Sequence, residues 1–362
     1  MNYFMIRRKE LWNCLQSQKR YSSFQSRLNR PISVAPMVDI TTSNFLELLH
    51  IISGGRHTYY SEMYHANAIL NHEGHLHRFI GTPRNNLVVQ LGGSDPTLLA
   101  KAAHILEKNG YAEVNINIGC PSPNVQSGNF GAVLMKTPDL VADILSTMSV
   151  SIPVTIKCRI GVDHLDSFEF FHQFVDTLMQ CKRPPPHLIV HARKCILKGL
   201  TPKQNRSIPP LNYERVYRLA KLYPNLPITI NGGFSTTDDI TTALQKVDGC
   251  MIGRKIMDSP LFLQDIDRHI YQVNEKDIKT PLTIIEEYLD YSETLLSTEI
   301  SKDEKYGLPP ITILLKPLMM LFQGKQGRSF RRHLFEQLQQ SDQSSHSIRR
   351  IVTQSLENAG IY

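Results

Sequence analysis

The chain of 362 residues is 41% hydrophobic and 20% charged, enough apolar material for a large core, which excludes a disordered or fibrous protein. Most of its net charge of +7 resides in the first thirty residues, where Arg7, Arg8, Lys9, Lys19, Arg20, Arg27 and Arg30 face Glu10 alone, leaving a body of 33 bases and 32 acids that can attract a polyanion only through a local patch. Six scattered cysteines with no C-x-x-C pair argue against a disulfide scaffold or zinc ribbon, and no run reaches the roughly 18 apolar residues of a membrane span.

Residues 1–30 are basic and carry Phe4, Met5, Leu11, Trp12 and Leu15 at spacings that suit one helical face, the composition of an organellar transit peptide. Arg20-Tyr21-Ser22-Ser23 resembles a mitochondrial cleavage site, so a mitochondrial location is expected, with plastid or cytoplasm as alternatives. A disordered basic tail that binds RNA is the competing reading. Neither places this stretch in the folded core.

From Pro31 onward, eight short apolar or β-branched runs predict strands: Ile32–Ala35, Thr58–Ser61, Leu87–Leu91, Glu113–Ile118, Val154–Cys158, His187–Val190, Pro227–Ile230 and Gly249–Ile252. Helical stretches lie between them, including Asp95–Asn109, Pro138–Met148, Ser167–Met179, Tyr213–Leu222 and Thr236–Lys246, most of them opened by a capping residue. Such alternation requires parallel strands, and eight units fit a (β/α)8 TIM barrel. An open doubly wound sheet is the alternative, but no G-x-G-x-x-G follows the first strand. After about residue 275 the strands stop, and Pro281–Thr298, Ile311–Phe322, Phe330–Gln339 and Ser347–Ala359 have helical periodicity. The expected organisation is a leader at 1–30, a barrel at 31–272 and a smaller all-helical domain at 281–362.

The strand ends hand over to Pro36-Met37, Glu62, Gln90, Asn117, Lys157, His191, Asn231 and Gly253-Arg254, positions that converge on one barrel mouth. Asn231-Gly232-Gly233 and Gly253-Arg254 suit a phosphate-bearing ligand, since glycines admit an anion to backbone N–H groups. Lys157 ends an apolar strand and therefore needs a negative partner; Gln90 and His191 are placed to hydrogen-bond the same ligand. Cys120, between Gly119 and Pro121 in what reads as a mobile loop, has no histidine at fixed spacing that would make it a protease thiolate. A thiol serving as proton donor fits better. Residues 191–221 hold eight bases and one acid, the local patch that a neutral body needs to bind RNA. Farther on, Gly327-Arg328-Ser329-Phe330-Arg331-Arg332 reads as a turn entering a helix whose first turn carries three arginines. Cations there oppose the helix dipole, which points to phosphate contacts.

Ala35-Pro36-Met37, Tyr60-Ser61-Glu62-Met63, Gln90-Leu91-Gly92-Gly93-Ser94-Asp95-Pro96, Asn117-Ile118-Gly119-Cys120-Pro121-Ser122, Val125–Ala132, His191-Ala192-Arg193-Lys194 and Asn231-Gly232-Gly233 closely resemble the tRNA-dihydrouridine synthases. Lys198–Arg206 with Pro209-Pro210-Leu211 resembles the branch acting on positions 20 and 20a of the D-loop. The resemblance spans about residues 31–340. It implies an FMN enzyme on a barrel, NADPH as reductant, a helical domain that grips tRNA, and reduction of the uridine C5–C6 bond by hydride from flavin N5 and a proton from Cys120. By that likeness Pro36, Met37, Val38, Gln90, Lys157, His191, Asn231, Gly232, Gly233, Gly253 and Arg254 hold FMN, whose reduced N1–C2=O edge supplies the negative charge Lys157 needs. Asn117, Lys203, Arg206, Arg328 and Arg331 contact tRNA. A monomer without metal or membrane association is expected. A small-molecule FMN oxidoreductase has no use for Lys203 and Arg206, and a noncatalytic tRNA-binding protein has none for Lys157 and Cys120.

Overall fold

The computed structural model describes residues 26–297, 309–340 and 348–361. Eight parallel strands close into a barrel in chain order: β1 Ile32–Val34, β2 Thr58–His65, β3 Leu87–Gly92, β4 Glu113–Ile118, β5 Val154–Arg159, β6 Leu188–His191, β7 Ile228–Asn231 and β8 Gly249–Ile252. Ile32 of β1 pairs with Cys250 of β8, so the sheet has no edge. Each predicted strand is present. β2 runs on past Ser61 to His65 because its pairing with β3 shifts between Tyr60 and Met63, where the Ser61 hydroxyl accepts the Gln90 N–H at 3.1 Å.

The described chain divides into two compact units, one holding the residues up to Pro36, His57–Gly74 and Pro83–Ile252, the other Met37–Arg56, His75–Thr82 and the residues from Gly253 onward. In the first unit, the helices Pro96–Lys108, Pro138–Thr147, Phe168–Met179, Tyr213–Leu222 and Thr237–Leu244 lie between strands as predicted. Asp95, Ser167, Asn212 and Thr236 each accept the backbone N–H three residues on, a cap worth about 1 kcal/mol.

Ala35, Tyr60, Val88, Ile189 and Met251 form one buried cluster, which residues from such separate strands can do only inside the barrel. Side chains alternate along a strand, so Gln90 and His191, two residues beyond Val88 and Ile189, point to the same inner side. The register pairs Gln90 with Asn115, Asn115 with Thr155 and Asn117 with Lys157, which puts these residues on that side too. An apolar layer is thus topped by a polar one.

The expectation that residues 1–30 stay outside the fold fails at Ser26–Arg30. Arg27 grips Asp248 through Nε and Nη2, both at 2.8 Å, and donates to the carbonyls of Pro224 and Leu226. Ser26 Oγ donates to the Asp248 carbonyl at 2.6 Å, while the Asp248 carboxylate also accepts the Ile228 N–H at 2.9 Å. Burial opposes ionisation of Asp248, but Arg27 and that N–H outweigh it and hold the carboxyl below its ordinary pKa. The rest of the leader lies outside the described residues.

The second unit contains the helices Ser43–Ser53, Leu76–Ile80, Arg254–Asp258, Phe262–His269, Pro281–Ser297, Ile311–Leu315, Gly324–Gln340 and Ile348–Asn358, and no strand among its described residues. Buried Asp267 joins two of them, accepting from Ser53 Oγ at 2.7 Å and Arg56 Nη1 at 3.3 Å. The predicted helix Ile311–Phe322 breaks after Leu315 into a 3-10 segment, Lys316–Met320, because Pro317 has no N–H to continue the ladder. Most of the predicted linker Ser301–Pro310 lies outside the described residues. No helix among those described is long and apolar enough to cross a membrane.

Candidate active site

Lys157 and Arg159 project from β5 with one residue between them. The Lys157 ammonium has no hydrogen-bond or ion-pair partner among the described residues, and burial, reinforced by the Arg159 charge, pushes its pKa down to about 8. Arg159 is 3% exposed and is held entirely by carbonyls: Nε donates to Gly119 at 2.9 Å, and Nη1 to Lys194 and Asn205, both at 3.1 Å. A half-buried ammonium beside a buried guanidinium, with no carboxylate paired to either among the described residues, forms a site for an anionic or strongly accepting ligand. Arg159 is a residue that sequence reasoning missed.

Cys120 follows β4 directly. The segment beyond it is not the mobile loop expected but a short helix, Pro123–Ser127, and a 3-10 turn, Gly131–Lys136. Ala132 N–H donates to the Cys120 carbonyl at 3.0 Å, and Gln126 Nε2 bridges the carbonyls of Pro121 and Leu197 at 2.8 and 2.9 Å. Beneath, Asn117 Oδ1 accepts the N–H groups of Gly119 and Cys120 at 3.0 and 2.9 Å. The half-buried thiol of Cys120 therefore sits on a braced frame at the end of β4, the strand paired with the β5 that carries Lys157 and Arg159, and Arg159 Nε holds the carbonyl of the preceding Gly119.

Gln90 is buried, donating to Asn115 Oδ1 at 2.7 Å and accepting from Asn117 Nδ2 at 2.8 Å. His191 is half-buried at the end of β6. The turn after β7 is tighter than an open phosphate cradle. Gly232 has φ 119° and a Cβ there would stand 2.8 Å from the His191 ring, while one on Gly233, φ 82°, would meet Leu211 and Tyr213 Oη. These glycines make room for His191 and Leu211, and Asn231 Nδ2 is engaged by the Met251 carbonyl at 2.8 Å. Pro36 ends the first segment of the first unit. Met37, Val38, Gly253 and Arg254 belong to the second, where Val38 and Arg254 are exposed and Gly253 precedes the helix Arg254–Asp258.

The basic patch is smaller than its composition. Lys194 pairs with Asp166 at 2.7 Å, Arg193 is buried against the Ser207 and Pro209 carbonyls, Arg215 donates to Ile160 O and Arg218 stacks 3.7 Å over the Phe168 ring. Lys198, Lys203, Arg206 and Lys221 are exposed. Asn205 pins the segment carrying Lys203 and Arg206, donating to Ile196 O and accepting from Ile196 N–H, both at 2.8 Å.

The arginines of the helical unit need correction. Their helix starts at Gly324, so Arg328 lies past its first turn and the argument from an opposed dipole fails. Gly327 is a helix residue, since a Cβ there would strike the Phe322 carbonyl. Arg331 Nη1 donates to Met319 O and Phe322 O at 3.2 and 2.9 Å; it satisfies the carbonyls left open by the 3-10 segment rather than presenting a charge. Arg328 remains exposed. No group of His, Cys, Asp and Glu among the described residues could hold a metal ion.

The dihydrouridine synthase (Dus) family model matches residues 33–357. The chain belongs to the dihydrouridine synthase family. Similar members of that family include the tRNA-dihydrouridine(20/20a) synthases of Haemophilus ducreyi, 42% identical over 307 residues covering 84% of this chain and 90% of that one, and of Synechocystis sp., 46% identical over 271 residues covering 74% and 79%. The one from Escherichia coli (strain K12) is 40% identical over 311 residues, covering 84% of this chain and 85% of its own. As a dihydrouridine synthase the chain is an oxidoreductase on a TIM barrel, with Cys120, Lys157 and Arg159 brought together at the ends of β4 and β5.

Proposed function

We propose that the chain reduces the C5–C6 double bond of uridine in the tRNA D-loop, at positions 20 and 20a, with FMN bound at the barrel mouth and NADPH as reductant. The pair of half-buried Lys157 and buried Arg159, with no carboxylate paired to either among the described residues, carries this reading. These residues fit FMN: an uncompensated ammonium suits the negative edge of a reduced isoalloxazine, and His191 and the amide of Gln90 supply polar contacts. Pro36, Met37, Val38, Asn231, Gly232, Gly233, Gly253 and Arg254 complete the set that would hold it.

When bound, FMN supplies the hydride. Cys120 holds the proton destined for the uracil C5, and Asn117 fixes the backbone that carries it. Reaching such a site requires the base to leave its stack. Lys203, Arg206 and Arg328 are exposed and are the basic residues we assign to phosphate contacts. The basic leader carries the further proposal of mitochondrial import; a fluorescent fusion of residues 1–25 that stays cytosolic refutes it.

The test uses purified protein. Copurified flavin, oxidation of NADPH and dihydrouridine mapped to positions 20 and 20a of a D-loop-containing tRNA are the expected results. A colourless protein, or one that reduces free uracil as readily as tRNA, overturns the proposal.

A further inference from the structure

The barrel interior below the site holds a chain of polar side chains, buried at its centre and half-buried at its two ends, that runs from one end of the sheet towards the other. Thr155 Oγ1 donates to Glu113 Oε1 at 2.7 Å, Asn115 Nδ2 to Thr155 Oγ1 at 3.0 Å, Gln90 Nε2 to Asn115 Oδ1 at 2.7 Å and Asn117 Nδ2 to Gln90 Oε1 at 2.8 Å. Asn115, Thr155 and Gln90 are all at most 1% exposed. Three strands contribute: Gln90 from β3, Glu113, Asn115 and Asn117 from β4, and Thr155 from β5.

Every link points the same way. The upper end is fixed because Asn117 Oδ1 accepts two backbone N–H groups, those of Gly119 and Cys120, which its amide nitrogen could not do. From that end the direction passes down the chain, so that Thr155 accepts from Asn115 and turns its own hydroxyl hydrogen to Glu113 Oε1 at 2.7 Å, with the Val114 carbonyl at 3.4 Å as a second acceptor. Reversing any one amide sets donor against donor at one side of it and acceptor against acceptor at the other, at a dry location where an unmade hydrogen bond is expensive. The chain thus selects one orientation for Gln90 and Asn117. Each of these amide nitrogens keeps a second hydrogen with no partner among the described residues, so the mouth presents N–H donors suited to carbonyl oxygens.

We propose that Asn115 and Thr155, anchored on Glu113, are positioning residues for Cys120: through Gln90 they lock the Asn117 amide, and Asn117 in turn sets the backbone that aims the thiol. The idea deepens the function proposed above and rests on it for the role of the thiol. Burial also raises the Glu113 pKa, as expected for a carboxyl beside Tyr60 and Thr155 with no cation paired to it among the described residues.

The experiment uses the flavin-loaded full chain and reads the rate at which iodoacetamide labels Cys120, resolved by peptide mass spectrometry; controls are flavin content, melting temperature and labelling of Cys181, a half-buried free thiol just after the helix Phe168–Met179. Thr155→Val removes the hydroxyl at constant shape. Expected are a severalfold change in Cys120 labelling, unchanged Cys181 labelling, and a kcat about tenfold to a hundredfold lower at similar KM, with Thr155→Ser restoring each. Where Thr155→Val does not fold, Asn115→Ala removes the next link without adding bulk and is read the same way. A folded, flavin-loaded variant of either kind with wild-type Cys120 labelling and wild-type kcat overturns the proposal. Labelling does not depend on tRNA reduction, so a failure of Cys120 as proton donor shows separately, as normal turnover by Cys120→Ala.

Discussion

The side-chain oxygen of Asn117 accepts the backbone N–H of Cys120 at 2.9 Å, so the backbone of Cys120 is tied to the end of β4. Because that bond runs to the backbone, it survives loss of the thiol. Cys120→Ala is therefore expected to retain flavin and NADPH oxidation while dihydrouridine formation slows about 10²- to 10⁴-fold, the usual worth of a general acid. Single-turnover reduction of tRNA measures this, and a wild-type rate removes Cys120 from the chemistry.

Lys157→Met is expected to weaken flavin binding and to stabilise the flavin-free protein. The folded-state pKa is pushed down to about 8 from 10.5, so below pH 8 the folded protein must hold a charge that burial disfavours. That penalty lifts only as pH rises from about 8 through 10.5. At pH 7 the variant should gain on the order of 2–3 kcal/mol by chemical denaturation. A variant no more stable than wild type at pH 7, yet still flavin-loaded, shows that Lys157 is neither buried nor a ligand.

Glu113 behaves in the opposite sense. Burial pushes its pKa up to about 7 from 4.5, with the Thr155 hydroxyl pulling back. Below pH 4.5 the carboxyl is protonated in both folded and unfolded chains. Between 4.5 and about 7 the unfolded chain ionises first, and folding stability is lost as pH rises. Glu113→Gln, which keeps an acceptor for Thr155, should match wild type at pH 4.5 and exceed it by about 3 kcal/mol above pH 7. Parallel denaturation curves at the two pH values check it.

Arg27→Ala leaves Asp248 without its bidentate partner at the foot of β8. A loss of about 1–3 kcal/mol is expected, with flavin content unchanged once folded. The melting temperature reads it, and an unshifted value shows that the clasp contributes nothing.

Lys203→Ala with Arg206→Ala should weaken tRNA binding and reduce the log–log salt slope by up to about two. Arg331→Ala should lower stability instead and leave the slope unchanged, because its guanidinium serves two carbonyls. Titrations at several salt concentrations separate the two behaviours.

The strands were legible because apolar runs and their turns follow local physics, and Lys157 stood out as a charge ending an apolar strand. Arg159 has the same signature one alternation later, but the apolar run that marks the strand stops at Cys158. Asn115 was equally available: Glu113-Val114-Asn115-Ile116-Asn117-Ile118 alternates strictly, which marks an inward polar face. What sequence could not supply was partnership. Lys194, Arg215 and Arg218 look like Lys203 and Lys221 until Asp166, the Ile160 carbonyl and the Phe168 ring are seen beside them. Gly324 and Gly327 read as a turn because the close approach to Phe322 that Gly327 permits is a tertiary fact.

Arg27 and Asp248 lie 221 residues apart, and β1 finds its second neighbour only in β8. A chain leaving the ribosome therefore carries β1 with one side unpaired until Ile252 has been made, so a nascent sheet with two open edges precedes the barrel. Closure is the event that removes both edges at once. Arrest of translation before β8 should leave a species prone to pair with its neighbours, and the protein's vulnerability to aggregation belongs to its synthesis rather than to its finished form.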